Sequence, residues 1–149
     1  MTQQVKIITY VLDDDFDDLA LLKEPLEKVC GCDLELYTDA AKFIEAIELG
    51  GHICIIDHQL TASADGIEIG KKVLEKNEDA FLILFSGSAR EEVWQRAMNA
   101  GFQRGVNKNA HDAFEQIAVM VEKQLPVIRR KISNQVFAQS MYKKYEKHL

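Results

Sequence analysis

Five short apolar runs rich in β-branched residues recur along the chain, and after each the apolar side chains change to a helical spacing. The runs are Val5 to Leu12, Leu34 to Tyr37, Gly51 to His58, Phe81 to Phe85, and a weaker one from Phe102 to Val106. A run too short for a helix and apolar on both faces belongs inside a parallel sheet, where crossover helices cover each side. The stretches between the runs supply those helices. Phe16, Leu19, Leu22, Leu26 and Val29 share one face, with Pro25 expected to kink that helix and Gly31 to stop it. Phe43, Ile44 and Ile47 form a second helix, and helical spacing predicts three more over about 67–76, 90–100 and 112–124. In the fourth, Val93, Ala97 and Ala100 face inward with Trp94 and Met98 at the margin.

The pattern predicts one α/β domain with a five-stranded parallel sheet. Right-handed crossovers then place the carboxyl ends of all strands on one edge, which is the ligand-binding edge of open α/β sheets. Asp13, Asp14, Asp57, Ser86 and Lys108 follow the ends of four of the runs and are expected to meet there.

Each of these residues has a simpler use. Asp57 can cap a turn, Ser86 can cap the next helix, and Lys108 can be a solvated surface charge. Asp15, Asp17 and Asp18 suit the positive end of the helix that follows them. Joint placement at one edge favours chemistry instead. Three crowded carboxylates raise one another's pKa unless a cation sits among them, and oxygen ligands without His or Cys favour a hard ion such as Mg²⁺. A phosphoryl group arriving at Asp57 would be balanced by that ion and by Lys108, with Ser86 donating a hydrogen bond beside the small Gly87. The set suits an aspartate nucleophile that becomes an acyl phosphate.

Charge narrows the partners. Residues 1–126 hold 12 Lys and Arg against 23 Asp and Glu, whereas residues 127–149 hold 6 against 1. An acidic body argues against nucleic acid as the main partner. The three cysteines form neither a zinc pattern nor pairs, so reduced thiols are expected, with Cys54 buried. Without a secretion signal or an apolar run long enough to span a bilayer, the chain is expected to be soluble and cytoplasmic.

Over roughly residues 5–124 the sequence resembles a response regulator receiver domain. The matching motifs are Val11-Leu12-Asp13-Asp14-Asp15, Ile55-Ile56-Asp57, Asp65-Gly66, Phe85-Ser86-Gly87, and Ala100-Gly101 followed by Lys108. The resemblance implies a flavodoxin-like doubly wound sheet of strand order 2-1-3-4-5. It also implies that Asp57 accepts a phosphoryl group from a sensor histidine kinase or histidine phosphotransfer protein. Mg²⁺ would be held by Asp13, Asp14, Asp57 and the backbone carbonyl of Gln59, with Ser86 and Lys108 completing the site.

Three departures stand out. Such receivers usually have a cis-linked Lys-Pro, but Lys108 precedes Asn109, and a non-proline cis bond costs about 3 to 4 kcal/mol, so a trans loop is expected. Gly105 stands where an aromatic switch residue is usual. The loop Leu60-Thr61-Ala62-Ser63-Ala64-Asp65 is one residue longer than usual and lacks the usual Met-Pro.

The receiver is expected to cover residues 1–125 and an amphipathic helical extension residues 126–149, with Ile128, Ile132, Val136, Phe137, Met141 and Tyr145 at helical spacing. That helix would either pack back as a sixth helix or serve self-association, including a homodimer, or partner binding. One helix cannot form a DNA-binding output. The leading expectation is a stand-alone switch that signals to another protein, not an enzyme beyond self-phosphorylation and autodephosphorylation. A degenerate receiver that binds partners irrespective of phosphorylation is the alternative. A haloacid dehalogenase-type phosphatase, with Asp13 as nucleophile, is disfavoured because that family's final acidic pair and cap domain are missing and Asp57 would have no role.

Overall fold

The computed structural model describes residues 5–60, 65–88 and 90–146. Thr61 to Ala64, which carry most of the lengthened loop, lie outside the described residues. The elements are β1 (Ile8–Leu12), α1 (Phe16–Glu27), β2 (Asp33–Tyr37), α2 (Ala40–Ala46), β3 (Ile53–Asp57), α3 (Gly66–Lys76), β4 (Phe81–Ser86), α4 (Glu91–Ala100), β5 (Arg104–Asn107) and α5 (Ala113–Glu146). All strand pairs are parallel, in the expected order β2-β1-β3-β4-β5. This is the flavodoxin-like doubly wound arrangement.

The central strands β1, β3 and β4 are buried along their whole length, as continuous apolar runs require. Their alternating side chains build two cores. Val11, Ile53, Ile55, Ile83 and Phe85 meet α1 and α5 on one face, while Ile8, Tyr10, Leu12, Cys54, Ile56, Leu82 and Leu84 meet α2, α3 and α4 on the other. His52 ties the base of the sheet together. Its Nδ1 accepts the Ile8 N–H at 3.1 Å, and its Nε2 lies 3.0 Å from the Leu49 carbonyl.

Two expectations need correction. Phe16 fits the helical spacing of α1 but is 75% exposed, because as the first residue of the helix it borders the open cleft at the strand ends instead of the core. The second concerns the end of the chain. The fifth helix does not stop near Gln124; it continues through Pro126 to Glu146 as one element of 34 residues, or about 51 Å at 1.5 Å per residue. Pro126 removes one backbone donor, yet its ring lies on the exposed side while Leu125 and Ile128 are buried next to it. Arg129 also donates to the Gly31 carbonyl, fastening this part of α5 to the turn between α1 and β2. Beyond Ile128, Ile132 and Met141 are half-buried, whereas Val136, Phe137 and Tyr145 are exposed. The extension therefore forms no separate sixth helix folded back on the domain.

Candidate functional site

The sheet's hydrogen-bond ladder runs past the strand ends on the carboxyl edge. Asp13 N–H donates to the Tyr37 carbonyl at 3.1 Å, His58 N–H to Phe85 at 3.0 Å, and Lys108 N–H to Ser86 at 2.9 Å. These rungs hold Asp13, Asp57, Ser86 and Lys108 in register at one rim, although nearly a hundred residues separate the first from the last. The rim opens into a cleft of about 600 Å³ that Asp14, Phe16, Asp57, Gln59, Gly87 and Lys108 help to line.

Local structure sets each side chain. Asp15 caps α1 by accepting from the N–H groups of Asp17 and Asp18 at 2.8 and 3.3 Å, and its own N–H donates to Asp13 Oδ1 at 3.0 Å. The cap therefore also orients Asp13. On the other side, Asp65 caps α3 by accepting the Ile67 N–H at 2.8 Å. The next residue has to be glycine: a Cβ on Gly66 would fall 1.9 Å from the Asp57 carbonyl oxygen. Gly66 N–H donates to the His58 carbonyl at 2.8 Å, so the start of α3 lies directly against the end of β3.

Asp13, Asp14 and Asp57 each offer an oxygen within 4.8 Å of the others. Lys108 Nζ lies 2.8 Å from Asp57 Oδ1, 3.1 Å from Asp13 Oδ2 and 3.0 Å from Asp18 Oδ2, and 5.1 Å from the centre of the Phe85 ring. The electrostatics follow from burial. Desolvation raises the Asp13 carboxyl to about 6, opposed by the Asp15 N–H and Lys108 and reinforced by Asp57. Asp57 is raised as well, first by desolvation, with Lys108 opposing and Asp14 adding to the shift. For Lys108, burial acts to lower the pKa, but the carboxylates of Asp57, Asp13 and Asp18 outweigh it and hold the ammonium firmly charged. One ammonium shared among carboxylates thus leaves Asp13 and Asp57 above the ordinary range. The site retains a deficit of positive charge, and its oxygen donors are of the kind that hold a hard divalent cation.

The structure brings together the residues expected from the sequence. Gln59 lines the cleft and pairs with Asp65 in an isolated bridge. Ser86 is fully buried at the rim. The loop after β5 is shaped without proline: no peptide bond among the described residues is cis, and Asn109 Nδ2 donates to the Gly87 carbonyl at 3.0 Å.

Two residues were missed. Asp18, expected only to suit the helix dipole, is a direct partner of Lys108. His58, read only as the end of an apolar run, places Nδ1 3.1 Å from Ser86 Oγ. Neither carries a sequence signal, since each contact depends on a residue brought from another strand end.

No family model matches the chain, and no curated protein matches it. Solved structures do. The BeF3-activated receiver domain of DrrB, a response regulator of Thermotoga maritima, has a TM-score of 0.70 at 22% identity, over 80% of this chain and 97% of that one. A CheY-like response regulator receiver domain protein from Methanospirillum hungatei has a TM-score of 0.71 at 20% identity, over 85% and 99% of the two chains. The response regulator domain of Thermotoga maritima CheB gives 0.66 at 17%, over 85% and 98%. The chain has the fold of response regulator receiver domains.

Proposed function

We propose that this chain is a phospho-accepting receiver in which Asp57 is the phosphoacceptor. The observation that supports the reading most is Asp57 at the end of β3, sharing Lys108 with Asp13 and offering an oxygen within 4.8 Å of oxygens of Asp13 and Asp14. In the reaction, an Asp57 oxygen attacks the phosphorus of a phosphohistidine or a small acyl phosphate. The new P–O bond forms as the bond to the donor breaks, and the donor leaves with the electron pair. Asp13, Asp14, Asp57 and the Gln59 carbonyl would hold Mg²⁺, which when bound offsets the charge of the phosphoryl oxygens. Lys108 keeps its positive charge beside the acceptor, and the hydroxyl of Ser86, at the end of the neighbouring strand, would serve an incoming oxygen.

On this reading the donor is a sensor histidine kinase or histidine phosphotransfer protein, the chain works in the cytoplasm, and its product is a changed protein-binding surface rather than a released compound. Intact-mass measurement after incubation with acetyl phosphate and Mg²⁺ tests it. One phosphoryl group is expected on the wild type and none on Asp57→Ala; no gain, or a gain that survives the substitution, refutes the proposal.

A further inference from the structure

We infer that His58 is a positioning residue that draws the only proton of Ser86 away from Asp57 and thereby weakens the hold on a phosphoryl group. This rests on the function proposed above. A hydroxyl has one proton to donate and two lone pairs to accept with. Ser86 Oγ already accepts the Ser88 N–H at 3.0 Å, and its second close partner is His58 Nδ1 at 3.1 Å. The far side of the imidazole decides who donates. His58 Nε2 faces Asp65 Oδ1 at 3.6 Å, and a carboxylate only accepts, so the proton of the neutral ring belongs on Nε2 and Nδ1 is left as an acceptor. That tautomer is assigned from the groups the ring faces. Ser86 must then give its proton to His58.

Asp65 is well fixed for this task. It accepts the Ile67 N–H and takes Arg96 Nη2 on its other oxygen at 2.7 Å. Ser86, His58, Asp65 and Arg96 thus form a chain of contacts from the buried rim to the surface of α4, with Ser86 and His58 both buried. A phosphoryl oxygen on Asp57 needs the same proton. Turning it inward leaves His58 Nδ1 buried without a donor, an expense that a side chain without an acceptor at position 58 would not impose.

The test is the affinity for beryllofluoride with Mg²⁺ at one fixed pH, measured by calorimetry. His58→Phe is expected to bind three- to tenfold more tightly than wild type, and the gain is expected to vanish in a Ser86→Ala background. Nitrogen NMR of the His58 ring supplies a readout independent of that variant's folding: the free wild type should show the proton on Nε2, and Nδ1 should shift when beryllofluoride is added. Equal or weaker binding by His58→Phe, the same gain without Ser86, or a proton on Nδ1 in the free protein would overturn the inference while the proposed function stood. Absence of any Asp57-dependent beryllofluoride binding by the wild type would overturn both.

Discussion

The ring of Trp94 on α4 lies against the backbone of Gly105 on β5, so closely that a Cβ at position 105 would come within 2.2 Å of the ring. The same ring borders a shallow hollow with Ala97, Met98, Phe102 and Arg104. Glycine at 105 therefore has a packing cause. An aromatic side chain is present in this part of the domain, but it arrives from the helix instead of the strand, and the strand gives up its own side chain to make room.

Gly105→Ala should consequently displace Trp94, at a cost of about 1 to 3 kcal/mol for overpacking. Trp94 is the sole tryptophan, so its emission reports the displacement directly. A red shift with a lowered urea midpoint is expected; unchanged emission would mean the ring does not rest on Gly105.

Lys108 carries the charge balance of the site, since its ammonium serves Asp57, Asp13 and Asp18 at once. Lys108→Met should destabilise the chelator-treated protein by about 2 to 4 kcal/mol at neutral pH, because removing one partner leaves buried carboxylates uncompensated. The loss should shrink at pH 5, where those carboxylates take up protons instead, and when millimolar Mg²⁺ is restored. Asp18→Asn, on a more exposed partner, should cost less. Denaturant unfolding of both variants with and without Mg²⁺ measures the difference.

The alternation of strands and helices was legible because buried parallel strands must be apolar on both faces, and β3 and β4 meet that demand at every position before the closing Asp57 and Ser86. Legible for the same reason was the convergence of Asp13, Asp57, Ser86 and Lys108, which follows from where parallel strands end. What escaped were contacts made after the chain had folded. Asp18 looks like any acidic residue of a first helical turn until Lys108 reaches it from the end of β5, and His58 looks like the tail of a strand until Ser86 is beside it. Helical spacing alone could not tell that Phe16 borders the open cleft and not the core. The end of the fifth helix was expected near Gln124, and local spacing could not show that burial of Leu125 and Ile128 carries the helix on through Pro126.

Burial of Asp13 has a consequence for stability in the metal-free protein. Its carboxyl is raised from the ordinary aspartate range to about 6, so between those values the folded state binds more protons than the unfolded one. Stability from this group is present below the unfolded pKa and is lost as pH rises through the folded one. Asp57, shifted in the same direction, adds to the effect. In chelator, the unfolding free energy should therefore fall from pH 4 to pH 6 by these groups, with a slope of up to about 1.4 kcal/mol per pH unit for each proton taken up. Asp13→Asn should flatten the slope and stabilise the protein at pH 7. A wild-type and Asp13→Asn pair with parallel pH profiles would contradict the stated cause.

The two halves of α5 should differ sharply in what they contribute to the fold. Ala113, Ile117, Val121, Leu125 and Ile128 are buried against the face shared with α1, whereas every described residue from Ser133 to Glu146 except Met141 is exposed. Removing an exposed helical segment deletes little buried apolar area, so truncation after Ile132 should change the unfolding free energy by less than about 1 kcal/mol. Ile128→Ala, which empties a packed position near Gly51, should instead cost about 2 to 4 kcal/mol. Urea unfolding of the two variants makes the comparison. A large loss on truncation would show that the distal half of α5 packs on the domain in solution, and the helix would then have to bend beyond Ile132, because Leu125 and Ile128 hold both sides of Pro126 on the domain.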